Sequence, residues 1–202
     1  GKRNAFDSAM IADLAQALGE YEANDELRCA LLFAHGEHFT AGLDLPTIAP
    51  LMQRGEKAIP LGLVEPNDLG TPGYRRRAKP MVVAVKGITF TVGIELMLAA
   101  DIVVTKPGGL TTSEILACGA VMVIANPIPG QESRNSDFLL EHGAAVGEPR
   151  LVVGVRVDRV LDGAVDRPRV LVHARLQMSH VFVHATARSP VGWSGLIPAP
   201  LR

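Results

Sequence analysis

Two turns in this sequence carry residue types that could polarise a carbonyl group. One is His38-Phe39-Thr40-Ala41-Gly42-Leu43-Asp44-Leu45. The other, Thr91-Val92-Gly93-Ile94-Glu95-Leu96, follows the apolar run Met81-Val82-Val83-Ala84-Val85. Small residues in such turns leave backbone N–H groups free to face a ligand oxygen. Gly93 reads as a helix start, whose positive end would reinforce an oxyanion. Two converging N–H groups form an oxyanion hole, often the largest single contribution to catalysis. Glu95 falls on the first turn of that helix, where a carboxylate can move a proton. The same carboxylate also reads as a helix-start charge that favours the dipole.

A second group of residues suggests different chemistry. Lys106-Pro107-Gly108-Gly109-Leu110-Thr111-Thr112-Ser113-Glu114 is a glycine turn feeding a helix, with Thr111 or Thr112 as the expected cap. Free N–H groups at such a start suit a diphosphate, and Glu114, one turn in, could accept from ribose hydroxyls. Asn126-Pro127-Ile128-Pro129-Gly130-Gln131-Glu132 places an amide and a carboxylate on a stiff loop, suited to sugar hydroxyls. From the residues alone, an ordinary strand–loop–helix connection is the favoured reading.

The elements that must hold these groups are legible from periodicity. Asp7-Ser8 can cap a helix in which Ile11, Leu14, Ala15, Leu18 and Tyr21 form one apolar face. Residues 29–34, 81–85 and 121–125 are short continuous apolar runs, as in strands buried on both sides. Helices are expected over residues 112–118 and 135–142, and residues 50–80 read as loop with some helix. Helix and buried strand in alternation argue an α/β fold. Arg75-Arg76-Arg77 could meet a phosphate, or form a solvated charge run. After residue 148 the basic residues are all Arg, and only residues 152–157 and 170–172 resemble strands.

Bulk properties narrow the functional classes. A hydrophobic share of 48% supports a sizeable core rather than disorder. A net charge of −1 gives no reason to expect nucleic acid or an anionic membrane as partner. The most apolar stretch, residues 81–104, contains Lys86, Glu95 and Asp101, so no membrane span is expected. Cys29 and Cys118 lack metal-type spacing and read as two reduced, buried thiols of a cytoplasmic protein. His35 and His38 read as loop residues, and no metal is expected.

Residues 1–104 resemble the crotonase (enoyl-CoA hydratase/isomerase) family. Lys2-Arg3-Asn4-Ala5-Phe6 is similar to its first CoA-contacting turn, Phe39-Thr40-Ala41-Gly42-Leu43-Asp44-Leu45 to its A-G-x-D-[IL] signature, and residues 79–104 to its K-P-x-[IV] to G-G-G-x-E-L block. The resemblance implies that the Leu43 and Val92 N–H groups polarise a thioester carbonyl. It implies that Lys2, Arg3 and Ala41 lie near the CoA nucleotide, and that Glu95 occupies the first catalytic glutamate position. It implies no separate cofactor, coenzyme A being part of the substrate thioester, and it allows an oligomer. Thr91-Val92-Gly93 stands where the family has three glycines, and no match to the second catalytic glutamate follows Val104. Hydration needs one group to activate water and another to protonate carbon, so impaired activity is expected.

Residues 105–148 resemble the C-terminal half of diacylglycerol glucosyltransferases and MurG-like glycosyltransferases. That resemblance implies Gly108, Gly109 and Thr111 at UDP phosphates, Glu114 at the ribose, and Gln131 and Glu132 at the donor sugar. The expected architecture is therefore α/β: a partial crotonase-like ββα spiral over residues 1–104, a Rossmann-like strand–helix fragment over 105–148, and an unassigned tail over 149–202. Its function is expected to be acyl-CoA binding. The alternatives are a UDP-sugar-binding fragment or an inactive fusion product. A joint inside the Asp101-Ile102-Val103-Val104 strand would leave each part without its usual long-range partners.

Overall fold

The computed structural model describes residues 3–147, 170–172 and 181–187; Lys2 and the possible strand at 152–157 lie outside them. Helix α1 (Ser8–Ala23) begins where Asp7 accepts a hydrogen bond from the Met10 N–H at 2.8 Å. It buries Leu14, Leu18 and Tyr21. Strand β1 (Leu27–Ala34) follows, then α2 (Leu45–Gln53), β2 (Met81–Ala84), α3 (Val92–Leu98) and β3 (Ile102–Thr105). The chain continues through α4 (Gly109–Ala117), β4 (Val121–Ile124), α5 (Ser133–Glu141) and β5 (Ala145–Gly147), with β6 (Val170–Val172) and β7 (Val181–Ala187) further on.

The strands form one sheet in the order β5-β4-β3-β2-β1-β7-β6. Strands β1 to β5 are parallel and lie side by side in sequence order. Strand β7 runs antiparallel to β1, and β6 antiparallel to β7. Alternation along the strands separates two apolar layers. Ala30, Leu32, Met81, Val83, Val103 and Met122 pack with Leu14, Leu96, Ile115 and Leu139, so α1, α3, α4 and α5 cover one face. Cys29, Val82, Val104 and Val123 form a second buried cluster on the other face. Burial on both faces accounts for the unbroken apolar runs in the sequence.

The boundary drawn at Val104 falls within β3. Val82, Val83 and Ala84 pair with Ile102, Val103 and Val104, which pair in turn with Val121, Met122 and Val123. Strand β3 is thus paired on both sides, and the sheet and its core run through it. Several local expectations are corrected. Helix α4 starts at Gly109, with Gly108 as its cap residue and no side-chain cap; Thr111 and Thr112 lie inside it. Helix α3 begins one residue early, at Val92. Cys118 is exposed while Cys29 is buried, and neither is in a disulfide. The arginine run is not a uniform solvated face, since the Arg77 side chain is only 7% exposed and pairs with Asp101.

Between α2 and β2, buried Glu65 organises the loop: one carboxylate oxygen accepts from Gly70 N–H at 2.7 Å and Thr71 N–H at 3.0 Å. Burial alone would raise its pKa, but the bonds from Thr71 and Gly70 outweigh it and hold the carboxyl below its usual range. A depressed folded-state pKa adds stability above the unfolded-state value, lost as pH falls through the folded one. Glu65→Gln is thus expected to be about 1.5 kcal/mol less stable than wild type at pH 7. The difference should shrink steadily once the pH drops below about 4.3, the ordinary glutamate value. Urea melts between pH 7 and 2.5 measure this; a gap independent of pH would refute it.

Candidate functional site

Three segments are knitted together beyond the C-terminal ends of β1 and β2. Asn4 donates from its amide to the His38 carbonyl at 2.9 Å, and Thr40 donates from its hydroxyl to the Asn4 carbonyl at 2.7 Å. Phe6 N–H donates to the Gly42 carbonyl and Asp44 N–H to the Phe6 carbonyl, both at 2.8 Å. Phe39 N–H donates to Lys86 at 2.8 Å, Thr40 N–H to Ile88 at 3.1 Å, and Phe90 N–H to Thr40 at 3.2 Å. Thr40 is fully buried at the centre of this seam.

The seam sets the two turns side by side. Gly42, at φ 92°, faces the Thr91 hydroxyl and the Phe90 carbonyl so closely that an added Cβ would meet both. Gly93 is buried against the Thr40 and Thr89 methyl groups, where a Cβ would likewise collide. Both glycines are therefore fixed by close approach rather than by flexibility. Leu43 N–H donates to the Thr91 hydroxyl oxygen at 3.3 Å. Val92 opens α3, and its N–H has no backbone acceptor among the described residues. Arg3 and Ala41 are adjacent, Ala41 N–H donating to the Arg3 carbonyl at 2.9 Å.

Glu95 lies on the exposed side of α3, within its first turn. It accepts from the Asn67 amide at 2.8 Å. Both residues line a cleft of about 560 Å³ that also receives Arg76, Asp101 and Cys118. Leu43 and Val92 are not among the residues lining that cleft. Leu43 is thus brought to the Thr91-Val92 turn, and Glu95 lies three residues further along the same helix. Asn67 carries no signal in the sequence: it comes from a loop 28 positions upstream of its partner.

Gly108, Thr111 and Glu132 line a second cleft, of about 260 Å³, at the C-terminal ends of β2, β3 and β4. Lys86 and Gly87, from the other side of the sequence boundary, complete it together with Asn126. Gly109, Glu114 and Gln131 do not line it. Glu132 is buried, and one of its oxygens accepts from the Ile128 N–H at 2.7 Å, so part of this carboxylate holds its own loop. Among the described residues no three His, Cys, Asp or Glu side chains are grouped to hold a metal. No helix among them is long and apolar enough to cross a membrane.

Comparison with known proteins finds relatives of two kinds. The family model described as Enoyl-CoA hydratase/isomerase matches residues 1–116. A probable peroxisomal enoyl-CoA hydratase of Arabidopsis thaliana is 30% identical over 105 residues, which are 52% of this chain and 37% of that protein. A processive diacylglycerol beta-glucosyltransferase of Bacillus licheniformis is 37% identical over 81 residues, 40% of this chain and 17% of that protein. Among solved structures, a probable enoyl-CoA hydratase/isomerase from Mycobacterium abscessus is 47% identical, covering 52% of this chain and 39% of the other, at a TM-score of 0.47. The chain spans less than half the length of each of these relatives. With the family model covering more than half of its residues, the chain belongs to the enoyl-CoA hydratase/isomerase family.

Proposed function

We propose that this chain binds CoA thioesters and polarises the thioester carbonyl between the Leu43 and Val92 N–H groups. The observation that supports this is the seam fastening residues 3–6, 39–44 and 86–92, which brings Gly42-Leu43 against Thr91-Val92. Fixed N–H donors stabilise charge on an oxygen without reorganising at the moment of reaction. Glu95 supplies the acid or base, and Arg3 and Ala41, with Lys2, lie toward the nucleotide. The chemistry is of the hydratase/isomerase type, impaired because one carboxylate does two proton transfers. Assembly of several copies, and a cytoplasmic setting suited to thiols outside disulfides, belong to the same proposal.

Calorimetric titration with crotonyl-CoA, with UDP-glucose as the comparison, tests the proposal. Crotonyl-CoA is expected to bind and UDP-glucose not to. Glu95→Gln is expected to keep binding while lowering turnover by about 100-fold or more. Affinity for UDP-glucose alone would instead support a nucleotide-sugar site, the reading favoured by Gly108, Thr111 and Glu132 sharing one cleft. Binding of neither would support an inactive fusion product.

A further inference from the structure

The Leu43 N–H assigned above to a thioester oxygen is already engaged, since the Thr91 hydroxyl oxygen accepts it at 3.3 Å. Thr91 is exposed and has φ 44° and ψ −113°. A β-branched residue rarely adopts a left-handed φ, and such strain persists only where the surroundings impose it. Here they do: Phe90 N–H donates to Thr40 at 3.2 Å, while Ile94 and Glu95 N–H donate to the Thr91 carbonyl at 2.8 and 3.1 Å. The side chain is thereby held over Gly42.

We infer that the Thr91 hydroxyl is an intramolecular plug, which a ligand carbonyl must displace from the Leu43 N–H before it can be gripped from both sides. This inference rests on the acyl-CoA assignment above. Replacing a hydroxyl acceptor by a neutral thioester oxygen exchanges one uncharged hydrogen bond for another, with little net gain. An oxygen that has acquired negative charge accepts a much stronger bond and displaces the plug readily. Breaking the bond to Thr91 costs the same whichever oxygen replaces it, so Thr91 weakens the neutral and the charged state alike relative to the free protein, and the charged state keeps the advantage of its stronger bond.

Crotonyl-CoA affinity and the hydrogen-exchange rate of the Leu43 amide are measured for wild type, Thr91→Ala and Thr91→Ser. Thr91→Ala is expected to bind crotonyl-CoA about 5-fold more tightly. Without ligand, its Leu43 amide is expected to exchange about 5-fold faster than in wild type. Thr91→Ser keeps the oxygen and is expected to match wild type in both. Unchanged or weaker binding by Thr91→Ala, when wild type binds, would overturn the plug alone. An equal gain for Thr91→Ser would also overturn it, by assigning the effect to the methyl group. Failure of all three forms to bind would overturn the acyl-CoA assignment and the plug with it.

Discussion

Replacing Arg77 with methionine is expected to destabilise the protein by about 3 kcal/mol. The guanidinium donates to Asp101 at 2.7 Å, to the Lys79 carbonyl at 2.5 Å and to the Ala99 carbonyl. Asp101 also accepts from the Met81 N–H at 2.8 Å. One buried side chain thus joins the start of β2, the end of α3 and the start of β3. Methionine fills much of the volume but leaves two carbonyls and a carboxylate without these donors. The Asp101 side chain is 53% exposed, so water compensates part of its loss, whereas the Lys79 and Ala99 carbonyls beside the buried Arg77 side chain lose their donors. Arg77→Lys should recover only part of the stability, because an ammonium lacks the planar fork. A urea midpoint for Arg77→Met within experimental error of wild type would show that these bonds add nothing net.

Gly87→Ala is expected to cost a similar amount, about 3 kcal/mol, for a steric reason. Gly87 has φ 60°, and a Cβ there would press on the Glu37 carbonyl oxygen and the His38 ring, and lie 3.1 Å from the His38 Cα. A backbone carbonyl cannot swing aside as a flexible side chain can. The substitution should separate residues 37–38 from 87–88 and slacken the bonds from Phe39 and Thr40 just beyond them. Hydrogen exchange should therefore accelerate at Phe39 and Thr40 more than at Val103, with a lower melting temperature. Uniform acceleration across the sheet would instead indicate global loosening without a local clash.

The sequence was most informative where burial sets a period. The apolar runs at 29–34, 81–85 and 121–125 each hold a strand, since faces covered on both sides demand continuous hydrophobicity. Asp7 was legible as a cap because its contact is local. Thr111 and Thr112 misled, because hydroxyl-bearing residues just after a glycine pair look like caps, while Thr112 N–H actually bonds to the Gly108 carbonyl at 2.8 Å. Arg77 misled for the opposite reason: two neighbouring arginines suggest a solvated run, and its burial depends on Asp101, 24 residues away. The proximity of Leu43 and the Thr91-Val92 turn spans 48 residues, and it was expected from the family resemblance and not from any period in the residues. Long-range pairing of this kind has no period to betray it.

Strands β1 to β5 lie side by side in the order of the chain. Each new strand therefore docks on the growing margin of the sheet, with no later segment inserted between earlier ones. Such an architecture is permissive to grafting at its margin. A strand–helix unit with a buried alternating strand can be appended there without rethreading what precedes it, whatever lineage that unit came from.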